Sequence, residues 1–114
     1  YIPQAREAAR RLLAMGVGRA AIVTLGARGS VVATPEGEFH LPALPVEARD
    51  TTAAGDAYVG GLAAALALGA DFRWALRVAN VAAGLSVTRL GAMNSLATRA
   101  EIEAALPGPE PVPL

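Results

Sequence analysis

At 114 residues the chain is the length of one domain, or of part of a larger one. Its formal net charge is zero with no basic face, which speaks against nucleic acid, and no apolar run nears the ~20 residues of a membrane span. There is no cysteine, so disulfides and cysteine-based metal sites are excluded, and a reducing cytoplasm is compatible.

Hydrophobic residues make up 54% of the chain but aromatic ones only 4%, which predicts a core of Ala, Val and Leu. There are 27 alanines, and all ten basic residues are arginine, a bias that fits a GC-rich genome. The first residue is Tyr1 and no signal-sequence pattern follows it, so a lost natural N-terminus is expected.

Pro3 to Met15 reads as a helix. Pro3 suits its first turn, and Ala5, Ala8, Ala9, Leu12 and Leu13 fall on one face, with Arg6, Glu7, Arg10 and Arg11 largely on the other. Gly16 and Gly18 end it. Ala20 to Leu25 is a short, β-branched apolar run after a helix, which predicts a buried parallel strand. Gly26-Ala27-Arg28-Gly29 follows at the strand's carboxyl end, where ligands gather in open α/β sheets. Spacing alone favours an ordinary tight turn there over a phosphate-binding loop. Ser30 to Ala33 and Glu38 to Leu41 read as a hairpin around Thr34-Pro35-Glu36-Gly37. His40 is the only histidine and, without a companion motif, reads as a strand surface residue. Pro42 and Pro45 mark an irregular passage onward.

The stretch from Arg49 to Gly61 reads as a loop that becomes a helix. Thr51 and Thr52 are candidate caps. Ala53, Ala54 and Gly55 leave the first helical N–H groups open, which makes an anion site at the positive end of the helix. Asp56 sets a carboxylate beside it. That pairing suits a base that deprotonates a nucleophile while N–H groups hold a phosphate; a capped helix with an acid in its first turn is the plainer alternative. The helix should run from Thr52 to about Leu68, buried on most sides, with Gly60 and Gly61 packing closely. Asp71 caps a further helix from Phe72 to about Val87, in which Arg73, Arg77, Asn80 and Gly84 share a stripe. Asn80, amid apolar residues, needs a partner, either a neighbouring loop or a ligand. Thr98-Arg99-Ala100-Glu101 is a capping box for a last helix to Leu106. The proline-rich end, 107–114, should be extended and mobile.

Three stretches carry a family resemblance. Asp50-Thr51-Thr52-Ala53-Ala54-Gly55-Asp56-Ala57-Tyr58 resembles the second signature of the ribokinase (PfkB-type) carbohydrate kinases, usually Asp-Thr-Thr-Gly-Ala-Gly-Asp-x-Phe-x-x-Gly. Ala53 stands for the commoner glycine and Tyr58 for Phe. Val23-Thr24-Leu25-Gly26-Ala27-Arg28-Gly29-Ser30 resembles the family's Thr-Leu-Gly-x-x-Gly nucleotide loop. The stretch from Ser86 through Val87-Thr88-Arg89-Leu90-Gly91 to Ser95 resembles its Val-Thr-Arg-x-Gly-Ala-x-x-Ser segment. Order and spacing match from about Ala20 to Leu106.

The resemblance implies a three-layer, ribokinase-like (Rossmann-like) α/β fold with a mainly parallel sheet. Residues 1–106 would be its C-terminal, nucleotide-binding portion and 107–114 a tail. It implies ATP-dependent phosphorylation of a sugar hydroxyl. Ribose to ribose 5-phosphate is the nearest match; fructose, 2-keto-3-deoxygluconate or a nucleoside are alternatives. In the implied mechanism Asp56 contacts the sugar and takes the hydroxyl proton, and the oxygen attacks the γ-phosphate of MgATP. N–H groups of Ala53, Ala54 and Gly55 form the anion hole. Thr24, Gly26, Ala27, Arg28, Gly29, Gly55 and Asn80 would contact ATP. Asp50, Thr52, Ser86, Arg89, Gly91 and Ser95 would hold K⁺, mostly through backbone carbonyls, which suit a hard cation. A complete member is much longer; the rest would bring most sugar contacts, the lid and the segment that helps organise Mg²⁺. A nucleotide-binding fragment without catalysis, or a purely structural α/β piece, stays open beside this reading. A cut sheet exposes strand edges, which makes a homodimer a candidate assembly.

Overall fold

The structure, a computed structural model, describes residues 2–16, 19–47, 49, 54–88 and 97–114. The chain divides into two compact units, Tyr1–Pro42 with Glu110–Leu114, and Ala43–Pro109.

The first unit is a helix on a sheet. Helix α1 (Ile2–Ala14) precedes strands β1 (Ala21–Thr24), β2 (Ser30–Thr34) and β3 (Gly37–Leu41), and β4 (Val112–Pro113) returns from the chain's end. Strand order is β1-β2-β3-β4, and every pairing is antiparallel. The expected parallel pairing of β1 is therefore not what this sheet shows: β1 pairs antiparallel with β2. The reason is the connection. Five residues join β1 to β2, enough for a tight reversal but short of the dozen or so that a parallel crossover needs.

Register sorts the sheet's faces. Val23 opposes Val31, Val31 opposes His40, and Ala33 lies opposite Ala21 on one side and Glu38 on the other. On that face Ala5 and Ala9 of α1 pack with Ala21, Val31 and Ala33, flanked by Ile2, Leu13, Val23 and Leu25. Ala8 is exposed and Leu12 is 42% exposed, so the helix buries a narrower stripe than its pattern predicts. Ser30, Val32, Phe39 and Leu41, on the other face, are buried too. The hairpin turns at Pro35-Glu36, with Gly37 at φ 149°.

The second unit is helical. α2 (Ala54–Ala67), α3 (Phe72–Ser86) and α4 (Arg99–Ala105) are its regular elements among the described residues. Asp71 caps α3 by accepting from the Trp74 N–H at 3.0 Å. Thr98 and Glu101 make the capping box of α4 in both directions. α2 and α3 meet closely at Gly61: a Cβ there would lie 3.1 Å from the Ala82 Cβ and 3.2 Å from the Ala79 Cα. α2 is not buried on most sides, however. Ala57, Tyr58 and Ala65 are buried, while Val59, Leu66 and Leu68 are 66%, 40% and 71% exposed. A helix apolar all round needs neighbours all round, and one packed helix covers one stripe.

The proline-rich end is extended, as its composition requires, but it is tethered. Arg77 donates to the carbonyls of Pro107 (2.8 Å) and Gly108 (3.0 Å), and the Leu114 N–H donates to Glu38 O at 3.0 Å beyond β4.

Candidate functional site

In the first unit, β1 delivers Thr24 to the start of a tight turn. Gly26–Arg28 form one 3₁₀ turn, closed by Arg28 N–H to Leu25 O (3.1 Å) and Gly29 N–H to Gly26 O (3.0 Å). Leu25 N–H donates across the loop to Gly29 O at 2.7 Å. Gly26 has φ 57° and Gly29 φ 86°, left-handed values that favour glycine at both positions. Thr24, Gly26, Ala27 and Arg28 are exposed. The first N–H groups of such a turn have no partner inside it. A further residue joins this loop: the His40 ring Nε2 lies 2.6 Å from Arg28 O. Sequence reading set His40 aside, because only the hairpin register brings it to a turn twelve residues away.

In the second unit, Ala54 opens α2, followed by Gly55 and Asp56, both exposed, with Asp56 in the first turn. A Cβ on Gly55 would meet nothing within 4 Å. Among the described residues nothing lies against Gly55, and Asp56 stands in the same first turn. Positive potential from the helix end favours an anion there. Ala53, Asp50 and Thr52 lie outside the described residues, as do Arg89, Gly91 and Ser95.

Asn80 is 5% exposed between buried Ala79 and Val81, and it is not without a partner. Ser86 is 1% exposed, and its hydroxyl donates to Ala83 O at 2.8 Å. One bond lies between the chain before residue 50 and the chain after α3. Arg49 N–H donates to Val87 O at 2.6 Å, so the chain leading to residue 50 lies against the chain leaving α3 toward residue 89. An open depression lined by Val46, Glu47, Arg49 and Thr88 lies there. No group of three or more His, Cys, Asp or Glu is placed to hold a metal ion among the described residues. No helix among them is long and apolar enough to cross a membrane.

Leu44 is not singled out in the sequence, and Arg77 only as a member of the helical stripe, not for the contact it makes. Leu44 packs on Gly84, where a Cβ would come within 2.6 Å of the Leu44 Cβ. Arg77 holds the chain at 107–108. Neither belongs to a motif; both partners are distant in sequence.

Residues 2–99 match the pfkB family carbohydrate kinases. The chain is similar to the bifunctional protein HldE of Nitrobacter winogradskyi, 42% identical over 97 residues, which are 84% of this chain and 20% of that protein. A crystal structure of ribokinase from Thermotoga maritima matches with a TM-score of 0.84 and 42% identity, over 89% of this chain and 34% of that one. Aminoimidazole riboside kinase from Salmonella enterica, solved with aminoimidazole riboside and an ATP analogue, matches with a TM-score of 0.78 and 36% identity, over 90% of this chain and 36% of that one. The chain thus spans between a fifth and just over a third of the length of these relatives. The fold is the ribokinase fold, present in part. With nearly its whole length matched, the chain belongs to the pfkB family of carbohydrate kinases.

Proposed function

We propose that this chain is the nucleotide-binding, C-terminal portion of an ATP-dependent carbohydrate kinase and carries its general base. The observation that supports this most is the exposed Asp56 beside the open, small-residue start of α2. In the proposed step Asp56 accepts the proton of a sugar hydroxyl, and that oxygen attacks the γ-phosphate of ATP in line. N–H groups of Ala53, Ala54 and Gly55 hold the negative charge that builds on the transferring phosphoryl. Thr24, Gly26, Ala27, Arg28 and Gly29 line the nucleotide, with Asn80 toward its base.

K⁺ belongs to the same proposal, held by Asp50, Thr52, Ser86, Arg89, Gly91 and Ser95. The bond between Arg49 and Val87 supports it, since it pairs the two segments that supply these ligands. No residue of this chain is assigned to Mg²⁺. The acceptor we infer first is ribose, and a cytoplasmic location goes with it. The names of the relatives spread across ribokinase, a riboside kinase and HldE, so the acceptor class is a sugar or riboside hydroxyl.

The test is Asp56→Asn in the full-length kinase. Turnover should fall by about 10²–10⁴-fold, the usual worth of a general base, while ATP affinity stays near normal. Near-normal turnover would end the assignment. A second reading, a nucleotide-binding piece without catalysis, is favoured for the isolated chain by its short span of the relatives. The 114-residue chain alone should show no sugar phosphorylation in a coupled ATPase and product assay; robust product would overturn that.

A further inference from the structure

His40 lies on β3 between Val31 of β2 and Val112 of β4. Its ring reaches the turn after β1, with Nε2 2.6 Å from the Arg28 carbonyl oxygen. A carbonyl only accepts, so the ring donates from Nε2. That carbonyl shares a peptide plane with the Gly29 N–H, which donates to Gly26 O at 3.0 Å. The plane is therefore held at both edges, by the turn through its N–H and by His40 through its oxygen. Gly29, at φ 86° and ψ −133°, imposes little restraint of its own, because glycine lacks the Cβ that would choose an orientation. A peptide free to rotate here could present its oxygen, the negative end of its dipole, to a phosphate.

We infer that His40 is a positioning residue for the nucleotide: it fixes the Arg28–Gly29 peptide so that the loop offers N–H groups rather than a carbonyl to the phosphates. This rests on the reading of residues 24–29 as the nucleotide loop.

The experiment is calorimetric titration of ATP into this chain and its His40→Leu and His40→Gln variants. Thermal melting of each, and ¹H–¹⁵N spectra of the His40 ring, complete it. The ring should carry its proton on Nε2. His40→Leu should weaken ATP binding about three- to tenfold, the worth of one hydrogen bond. His40→Gln should recover most of it, since its amide nitrogen can take the place of Nε2. A proton confined to Nδ1 would overturn the inference. So would unchanged affinity in His40→Leu, or equal losses of affinity and melting temperature in both variants, which would mark a purely structural contact. If the unsubstituted chain fails to bind ATP, the nucleotide reading itself falls and takes this inference with it. If it binds and His40→Leu binds equally, only this inference falls.

Discussion

Gly60 and Gly84 both sit inside helices of the second unit, and alanine should act on them with opposite signs. Around Gly60 a Cβ meets nothing within 4 Å. Gly60→Ala then gains the helix preference of alanine, about 0.5–1 kcal/mol. At Gly84 the same Cβ would lie 2.6 Å from the Leu44 Cβ, an atom fixed to its backbone. Relieving such overpacking costs about 1–3 kcal/mol, which outweighs the helix gain of about 1 kcal/mol. Melting followed by far-UV circular dichroism should rise for Gly60→Ala and fall for Gly84→Ala. Shifts of the same sign would refute the packing argument. This scale also marks a limit of the sequence. Gly60 and Gly61 look alike as a pair, yet only Gly61 touches α3. The placement of Asp56 in a first turn beside small residues was legible because that signal is local. His40, Leu44 and Arg77 were not, since each acts on a partner brought near only by the fold.

The elements themselves were largely legible where their signals are short-range. Asp71 and the Thr98–Glu101 capping box each bond within three residues, and the Pro35-Glu36 reversal sits inside the predicted turn. Strand direction was not, because a helix followed by an apolar run suits either sense. Nor was the pairing of Val112–Pro113 with β3, which joins residues over seventy positions apart. One long-range tie makes a measurable claim. Glu38 on β3 accepts from Arg6 (2.9 Å) and Arg10 (2.7 Å) of α1, fastening helix to sheet. Its hydrogen bonds with Arg6 and then Arg10 hold its carboxyl below the ordinary value. A depressed carboxylate stabilises the fold above the unfolded-state pKa, and that contribution is lost as pH falls through the folded-state pKa. Unfolding midpoints in urea should therefore drop on acidification. Glu38→Gln should lower stability near neutrality and flatten that acid limb; an acid limb as steep as the parent's would show that the tie contributes nothing.

At the scale of the whole molecule, the residues proposed for function fall in both units, each with its own part of the proposal. Thr24 to Gly29 belong to the first, and Ala54, Gly55, Asp56, Asn80 and Ser86 to the second. Motifs made the family readable along the chain, although composition and periodicity alone would have stopped at a mixed α/β protein. The decisive property is whether these loops hold a nucleotide without the remainder of a kinase. The loop proposed for the nucleotide closes on its own bonds and through His40. The segment proposed to hold K⁺ is preceded by a bond from Arg49 N–H to Val87 O. Under the proposed function, those internal ties let a chain of this length hold a nucleotide, and the proposed K⁺ orders the start of α2. Calorimetric titration of ATP should therefore show binding that strengthens when K⁺ replaces a large organic cation at constant ionic strength. Screening by salt is then the same in both titrations, so a difference reports the specific ion rather than the Debye length. Binding indifferent to K⁺ would remove the cation from the proposal and leave the nucleotide loop standing. Absence of binding in both salts would take the nucleotide reading away from this chain altogether.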